Sequence, residues 1–222
     1  MIIEKIIKIG DIPVPAVKII PGKYNGIVLS IHGYGGNKEE MLGLSHYISE
    51  FGLLTYTIDM PGHGENEKIF DESILDEINN IIGIVKENGK KLAVIGHSLG
   101  GRIAMLCNCD FAIGLSPALN KEFSKQTQDI ITTLRSYRVK EKHAGINFDI
   151  LRNLPCSFSK PGNTKILLGA RDVPEIMQIC EEYKNNGFDV TKLEGVLHSD
   201  IFNSNKTFEA VKDTFQNWFG SY

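Results

Sequence analysis

Apolar residues recur along this chain in two distinct periods. Runs at 27–31, 53–58, 92–95, 111–115 and 165–169 are rich in branched side chains and apolar at most positions, which predicts strands buried on both faces of a sheet. Between them the spacing changes to three or four. Met41, Leu44, Ile48 and Phe51 share one helical face, as do Ile74, Ile78, Ile81 and Val85. Ile176, Ile179, Cys180 and Tyr183 mark a further helix, and Phe208, Val211, Phe215 and Trp218 a closing one. Asn88-Gly89 and Asn185-Asn186-Gly187 supply helix stops. Strand and helix alternate from residue 27 onward, which predicts one mainly parallel sheet covered on both faces. Two β-rich runs, 2–9 and 12–20, precede it, and Pro13 and Pro15 assign them to the sheet's outer strands.

One stretch breaks the alternation. Residues 118–163 are polar and charged, without strand periodicity, and hold short helical patterns near 130–137 and 148–154. A connection of that length inside an α/β domain is expected to be a lid or functional insertion.

Composition narrows the field. The 222 residues suit a single α/β domain, and 42% hydrophobic with 23% charged residues is the balance of a water-soluble globule. A net charge of −3 and the lack of a basic stripe argue against nucleic acid. No apolar run approaches a membrane span and the first residues do not spell a signal sequence, so a cytoplasmic protein without a membrane partner is expected. Cys107, Cys109, Cys156 and Cys180 lack a second spaced ligand pair and read as small apolar residues in a reducing compartment, not as a metal site.

The most informative stretch joins a buried strand to a helix. Leu92-Ala93-Val94-Ile95 runs into Gly96-His97-Ser98-Leu99-Gly100-Gly101, and Ile103 to Leu106 continues as helix. This is G-x-S-x-G in the strand–turn–helix context that a nucleophile elbow needs. Residues without a Cβ let the two elements close around a serine held in an unfavourable backbone conformation. Two nucleotide-binding readings fail. Arg102 and Ile103 stand where a phosphate loop needs Lys and a hydroxyl, and Lys38 stands where a dinucleotide fingerprint after Gly33-Tyr34-Gly35-Gly36 needs its last glycine.

Candidate chemistry falls at four strand ends, where α/β sheets gather functional groups. Serine is a poor nucleophile without a base, and His198 is the one histidine after the elbow that closes a strand. Asp172, after the strand at 165–169, would orient that imidazole; Asp200 lies too near His198 in sequence and Asp189 opens a strand at the wrong edge. The oxyanion donors would be the N–H groups of Leu99, beside the nucleophile, and Tyr34, in the glycine-rich turn after His32. Met60 and Val173, with Tyr34 and Leu99, are the candidate pocket walls. His32 reads as a buried strut under the oxyanion turn, His97 as packing or pocket wall, and His63 as a residue that shapes its loop. His46 and His143 read as surface residues.

Taken in order, His32-Gly33-Tyr34-Gly35-Gly36, Asp59-Met60-Pro61-Gly62-His63-Gly64, Gly96-His97-Ser98-Leu99-Gly100, Asp172 and His198 resemble an α/β-hydrolase-fold serine hydrolase. Within that fold the chain is similar to small carboxylesterases and acyl hydrolases of the serine-aminopeptidase and feruloyl-esterase type. The resemblance implies an eight-stranded sheet with a short antiparallel start, with residues 118–163 as its cap. It also implies hydrolysis of a small carboxylic ester through an acyl-enzyme on Ser98, with no metal or organic cofactor. Thioester, amide or C–C bond hydrolysis uses the same three groups and stays open, as does a catalytically silent ligand-binding relative. The choice between monomer and homodimer stays open too.

Overall fold

The computed structural model describes residues 1–155 and 161–220. Its centre is one eight-stranded sheet. The strands are β1 (Ile2–Ile6), β2 (Ala16–Ile20), β3 (Gly26–Ile31), β4 (Leu53–Ile58), β5 (Lys91–His97), β6 (Phe111–Leu115), β7 (Thr164–Arg171) and β8 (Asp189–Leu197), in the order β1-β2-β4-β3-β5-β6-β7-β8. From β4 across to β8 every neighbouring pair is parallel, and β2 runs antiparallel to both β1 and β4. The expected antiparallel start is present. β2 is shorter than the run at 12–20 because Pro13 and Pro15 cannot donate to a ladder, and pairing begins only at Ala16.

Among the described residues, seven α-helices accompany the sheet: α1 (Leu42–Ser49), α2 (Ile74–Val85), α3 (Leu99–Leu106), α4 (Lys125–Arg135), α5 (Ile146–Asn153), α6 (Pro174–Asn185) and α7 (Asn205–Phe219). Side chains of successive strand residues point to opposite faces, so each central strand feeds two cores. Ile27, Leu29, Ile31, Leu92 and Val94 join one apolar cluster with α2, α3, α5 and α6. Val28, Ala93 and Ile95 join the other, with α1 and α7. The helix predicted through Met41, Leu44, Ile48 and Phe51 begins as a 3-10 turn at Lys38–Met41, where the Asn37 side chain accepts from the Glu40 N–H.

The alternation is interrupted where the sequence says it should be. Between β6 and β7 the described part of the insertion carries α4 and α5. α4 starts five residues earlier than the pattern at 130–137 suggests, because the Ser124 hydroxyl caps it by accepting from the Thr127 N–H. Cys107, Cys109 and Cys180 are buried thiols without a disulfide, while Cys156 lies outside the described residues. Among the described residues, no helix is long and apolar enough to cross a membrane.

Candidate active site

From Leu92 to Met105 every residue is buried except Ser98, which sits at the hinge between β5 and α3. Its φ of +52° lies in a region that non-glycine residues avoid, so the fold holds it under strain. The hinge closes because its flanks lack side chains. A Cβ on Gly96 would lie 2.1 Å from the Gly100 oxygen, and one on Gly100 would lie 2.4 Å from the His32 oxygen. Main-chain bonds complete the clamp: Ser98 N–H donates to Leu115 O at 2.9 Å, and Ala118 N–H donates to Ser98 O at 3.0 Å.

Asp172 follows β7 directly, and its side chain has no solvent exposure. His198 follows β8, with 26% of its side chain exposed. His198 Nδ1 donates to Asp172 Oδ1 across 2.8 Å, and the Val173 N–H donates to the same oxygen across 2.7 Å. The other carboxylate oxygen accepts from the Ser116 hydroxyl. Burial alone would push the Asp172 carboxyl up; the donors from His198, Ser116 and Val173 outweigh it and hold the group below its ordinary range. The Asp172 carboxylate therefore stays an anion and orients the His198 ring through Nδ1.

Ser116 was not visible as a functional residue in the sequence, where Ser116-Pro117 reads only as a strand stop. Among the described residues it is the second non-glycine residue with positive φ, at +46°, beside Ser98 itself. Strain of this kind, rather than any residue pattern, is the signal that finds it.

A cavity of about 190 Å³ opens at this sheet edge. Ser98, His198, Leu99, Gly33, Tyr34, His97 and Val173 all line it. Half of its lining residues come from the insertion, among them Phe123, Ile131, Phe148 and Leu151. Leu99 is the first residue of α3, so its N–H has no acceptor within the helix. The glycine-rich turn carrying Tyr34 is braced from beneath. Lys38, 1% exposed, donates from Nζ to Asp59 Oδ2 at 2.7 Å and to Glu65 Oε2 at 2.9 Å, while its own N–H reaches Asp59 Oδ1 at 2.7 Å. Burial pulls the Lys38 ammonium down, but these carboxylates more than offset it and keep it charged. The Tyr34 phenol donates to Glu141 Oε2 across 2.6 Å, and Glu141 also accepts from the Ser136 hydroxyl. The glycine-rich turn and the insertion are thus directly bonded.

The other histidines sort as the sequence suggests. His32 is fully buried, donates from Nδ1 to Gly33 O and accepts the Met60 N–H at Nε2, a strut beneath the turn. His97 donates from Nε2 to the His198 carbonyl at 2.9 Å. His63 is buried and donates from Nδ1 to Pro61 O within its own loop. His46 and His143 keep about half of their side-chain surface in solvent.

Met60 requires a correction. It is wholly buried in the apolar cluster beneath the sheet edge, tied by its N–H to His32, and does not line the cavity. An unbranched thioether on a loop that folds inward fills a gap in the core, where it is worth more than at a solvated wall.

A strained serine at a strand–helix elbow, an Asp–His pair after the last two strands and a shared cavity define an α/β hydrolase. Comparison with known proteins agrees. Residues 22–136, just over half of the chain, match the sequence profile of the serine aminopeptidase family S33, and the chain belongs to that family. The 2-succinyl-6-hydroxy-2,4-cyclohexadiene-1-carboxylate synthase of Enterobacter sp. (strain 638) is 32% identical over 87 residues, covering 38% of this chain and 33% of that protein. The matched segment thus spans about a third of the curated relative's length. Among solved structures, a soluble variant of monoglyceride lipase from Saccharomyces cerevisiae superposes with a TM-score of 0.72 at 17% identity, covering 98% of this chain and 96% of that one. Est1E from Butyrivibrio proteoclasticus, solved with ferulic acid bound, gives a TM-score of 0.67 at 18% identity, covering 96% of each chain.

Proposed function

We propose that this protein is a serine hydrolase that cleaves carboxylic esters through an acyl-enzyme on Ser98. The observation that carries this reading is the 2.8 Å bond from His198 Nδ1 to the buried Asp172 carboxylate, made where His198 and the strained Ser98 line one cavity. Ser98 Oγ attacks the ester carbonyl as His198 Nε2 takes its proton, and Asp172 stabilises the imidazolium that forms. The carbonyl oxygen becomes an oxyanion held by the N–H groups of Leu99 and Tyr34. Collapse of the tetrahedral intermediate expels the alcohol, which leaves with the proton from His198. Water, activated by the same imidazole, then attacks the acyl-enzyme and frees the acid and Ser98.

The insertion serves as the cap, and Val173 with the side chains of α4 and α5 forms the acyl wall. A cavity this small and this apolar suits a short or medium acyl chain, or an aryl one. Three buried free thiols support a place in the reducing cytoplasm. Hydrolysis of p-nitrophenyl acetate, butanoate and octanoate by the wild type beside Ser98→Ala tests the mechanism. Loss of about a thousandfold or more in kcat is expected, since the base has no nucleophile left to activate. Equal turnover by both proteins would sink the acyl-enzyme route.

A further inference from the structure

The turn at 33–36 reads Gly33-Tyr34-Gly35-Gly36, so Tyr34 carries the only side chain by which its surroundings can hold it. Glycine backbones resist rotation least, and Gly35 has a φ of +72°. Among the described residues no acceptor takes the Tyr34 N–H. Neither a backbone bond nor stiff neighbours therefore set its direction. The ring is gripped instead. It is buried, with its centre 5.8 Å from that of His63 and 5.9 Å from that of Phe70, and its hydroxyl donates to Glu141 Oε2 at 2.6 Å. A carboxylate acceptor makes this the stronger kind of hydrogen bond.

Glu141 belongs to the insertion by sequence, yet main-chain bonds tie it to the loop after β4. Lys140 N–H donates to Gly62 O at 2.8 Å, Phe70 N–H to Lys140 O at 2.9 Å, and Lys142 N–H to Phe70 O at 3.2 Å. Glu141 stands opposite Phe70 in this short parallel bridge. Its carboxylate is thereby fixed against the same loop that packs His63 and Phe70 on the Tyr34 ring. The bridge uses only main-chain atoms, so it does not itself require a carboxylate at 141. Glu141 is also absent from the cavity lining, and any effect on the reaction must pass through Tyr34.

We propose that Glu141 is a positioning residue of the reaction: by anchoring the Tyr34 hydroxyl, it aims the Tyr34 N–H at the oxyanion. The inference rests on the hydrolase reading above, which makes that N–H an oxyanion donor. Such a donor acts fully only if it is aimed before charge develops, because one that must reorient during the reaction stabilises the transition state less.

The test compares the intact chain with Glu141→Ala, Glu141→Gln, Tyr34→Phe and the double variant Tyr34→Phe/Glu141→Ala. Active sites are counted by fluorophosphonate labelling of Ser98, so misfolded protein does not enter the rates. The substrate is p-nitrophenyl butanoate. The inhibitor is a trifluoromethyl ketone of matching chain length, whose carbonyl adds Ser98 Oγ and leaves an oxyanion in the same place. In Glu141→Ala and in Tyr34→Phe, kcat should fall about fivefold or more, short of the hundredfold or more that loss of a whole donor costs. KM should stay within about twofold, and the ketone's inhibition constant should rise by the factor that kcat falls. The double variant should be no slower than the slower single one, since both substitutions remove the same bond. Glu141→Gln, whose amide oxygen still accepts from the phenol, should keep about a third of kcat or more. A smaller fall in Glu141→Ala overturns the proposal, as does a loss carried by KM. Losses that multiply in the double variant, or a Glu141→Gln as slow as Glu141→Ala, overturn it too. If the wild type turns over no ester, labelling decides. An unlabelled Ser98 takes the hydrolase reading down with this one. With a labelled Ser98, the rate of phosphonylation, which also builds charge on an oxygen at this site, replaces kcat in each comparison.

Discussion

The carboxyl edge of the sheet and helix α4 face each other across one cavity, yet they are built in opposite ways. At the sheet edge, positions are over-determined. Ser98 is clamped by main-chain bonds on both its N–H and its carbonyl, Asp172 accepts three donors, and the turn carrying Tyr34 stands on a buried Lys38–Asp59 pair. On α4 nothing is buried at all, and Ile130 and Leu134, 50% and 57% exposed, line the cavity while facing solvent. Strain of the kind seen at Ser98 and Ser116 persists only where the surroundings leave the chain no alternative. On the reading proposed above, chemistry falls to the rigid side and choice of substrate to the loose side.

Acid should break the rigid side first and hardest. Burial holds His32 near a pKa of about 4 and His63 near about 3, and it also lowers His97 well below the ordinary value. Each is neutral when folded, whereas an unfolded histidine takes up a proton below about 6.5. Between that value and the folded pKa the unfolded chain binds more protons, so stability falls as pH falls. His32 and His63 together should remove roughly 3 kcal/mol between pH 6.5 and pH 5, since the slope per group grows toward about 1.4 kcal/mol per unit as the unfolded histidine fills with protons. Urea unfolding at pH 7 and pH 5 measures it. A stability that stays flat over this window would mean these histidines are not buried neutral struts.

The next largest effect should come where the two regions are joined. Arg102, in α3 and fully buried, donates through Nη1 to Ala118 O and Leu119 O and through Nη2 to Leu154 O and Pro155 O. One guanidinium thus fastens both ends of the described insertion to α3. Arg102→Ala should cost on the order of 3 kcal/mol in urea unfolding, because it strands buried carbonyls and opens a cavity. It should also hasten proteolytic cleavage within 118–155. Arg102→Lys should recover little, since a point charge on a flexible stem cannot bond four divergent carbonyls. Full recovery by lysine would show that charge alone, not the fork, holds the insertion.

What could be read in the sequence divides along the same line. The strands at 27–31, 92–95 and 111–115 were legible because a strand buried on both faces is apolar at most positions, and Ser98 because its elbow needs glycines at fixed spacing. Asp172 and His198 followed because a parallel sheet brings its strand ends to one edge. Long-range partners were not legible. Arg102 stood out only as the wrong residue for a phosphate loop, and nothing in Ser116-Pro117 announces a bond to an acid 56 residues away. Met60 misled for a related reason. Its loop is conspicuous, but the direction of one side chain within it is set by tertiary packing, which no local pattern encodes.

The smallest stability effect should lie on α4, and there the comparison is sharpened rather than broken. Leu134 buries less than half of its surface, so Leu134→Ala should change unfolding free energy by under about 0.5 kcal/mol. Its methyl groups nonetheless form part of the cavity rim, and a longer acyl chain reaching that rim would lose apolar contact. KM for p-nitrophenyl octanoate should therefore rise a few-fold, while KM for the acetate, too short to reach, should hold. Equal changes for both esters would mean that α4 acts on the reaction itself, through the Ser136–Glu141–Tyr34 chain that bonds it to the glycine-rich turn. The loose side would then share in the chemistry, and the separation of roles drawn here would fail at that one contact.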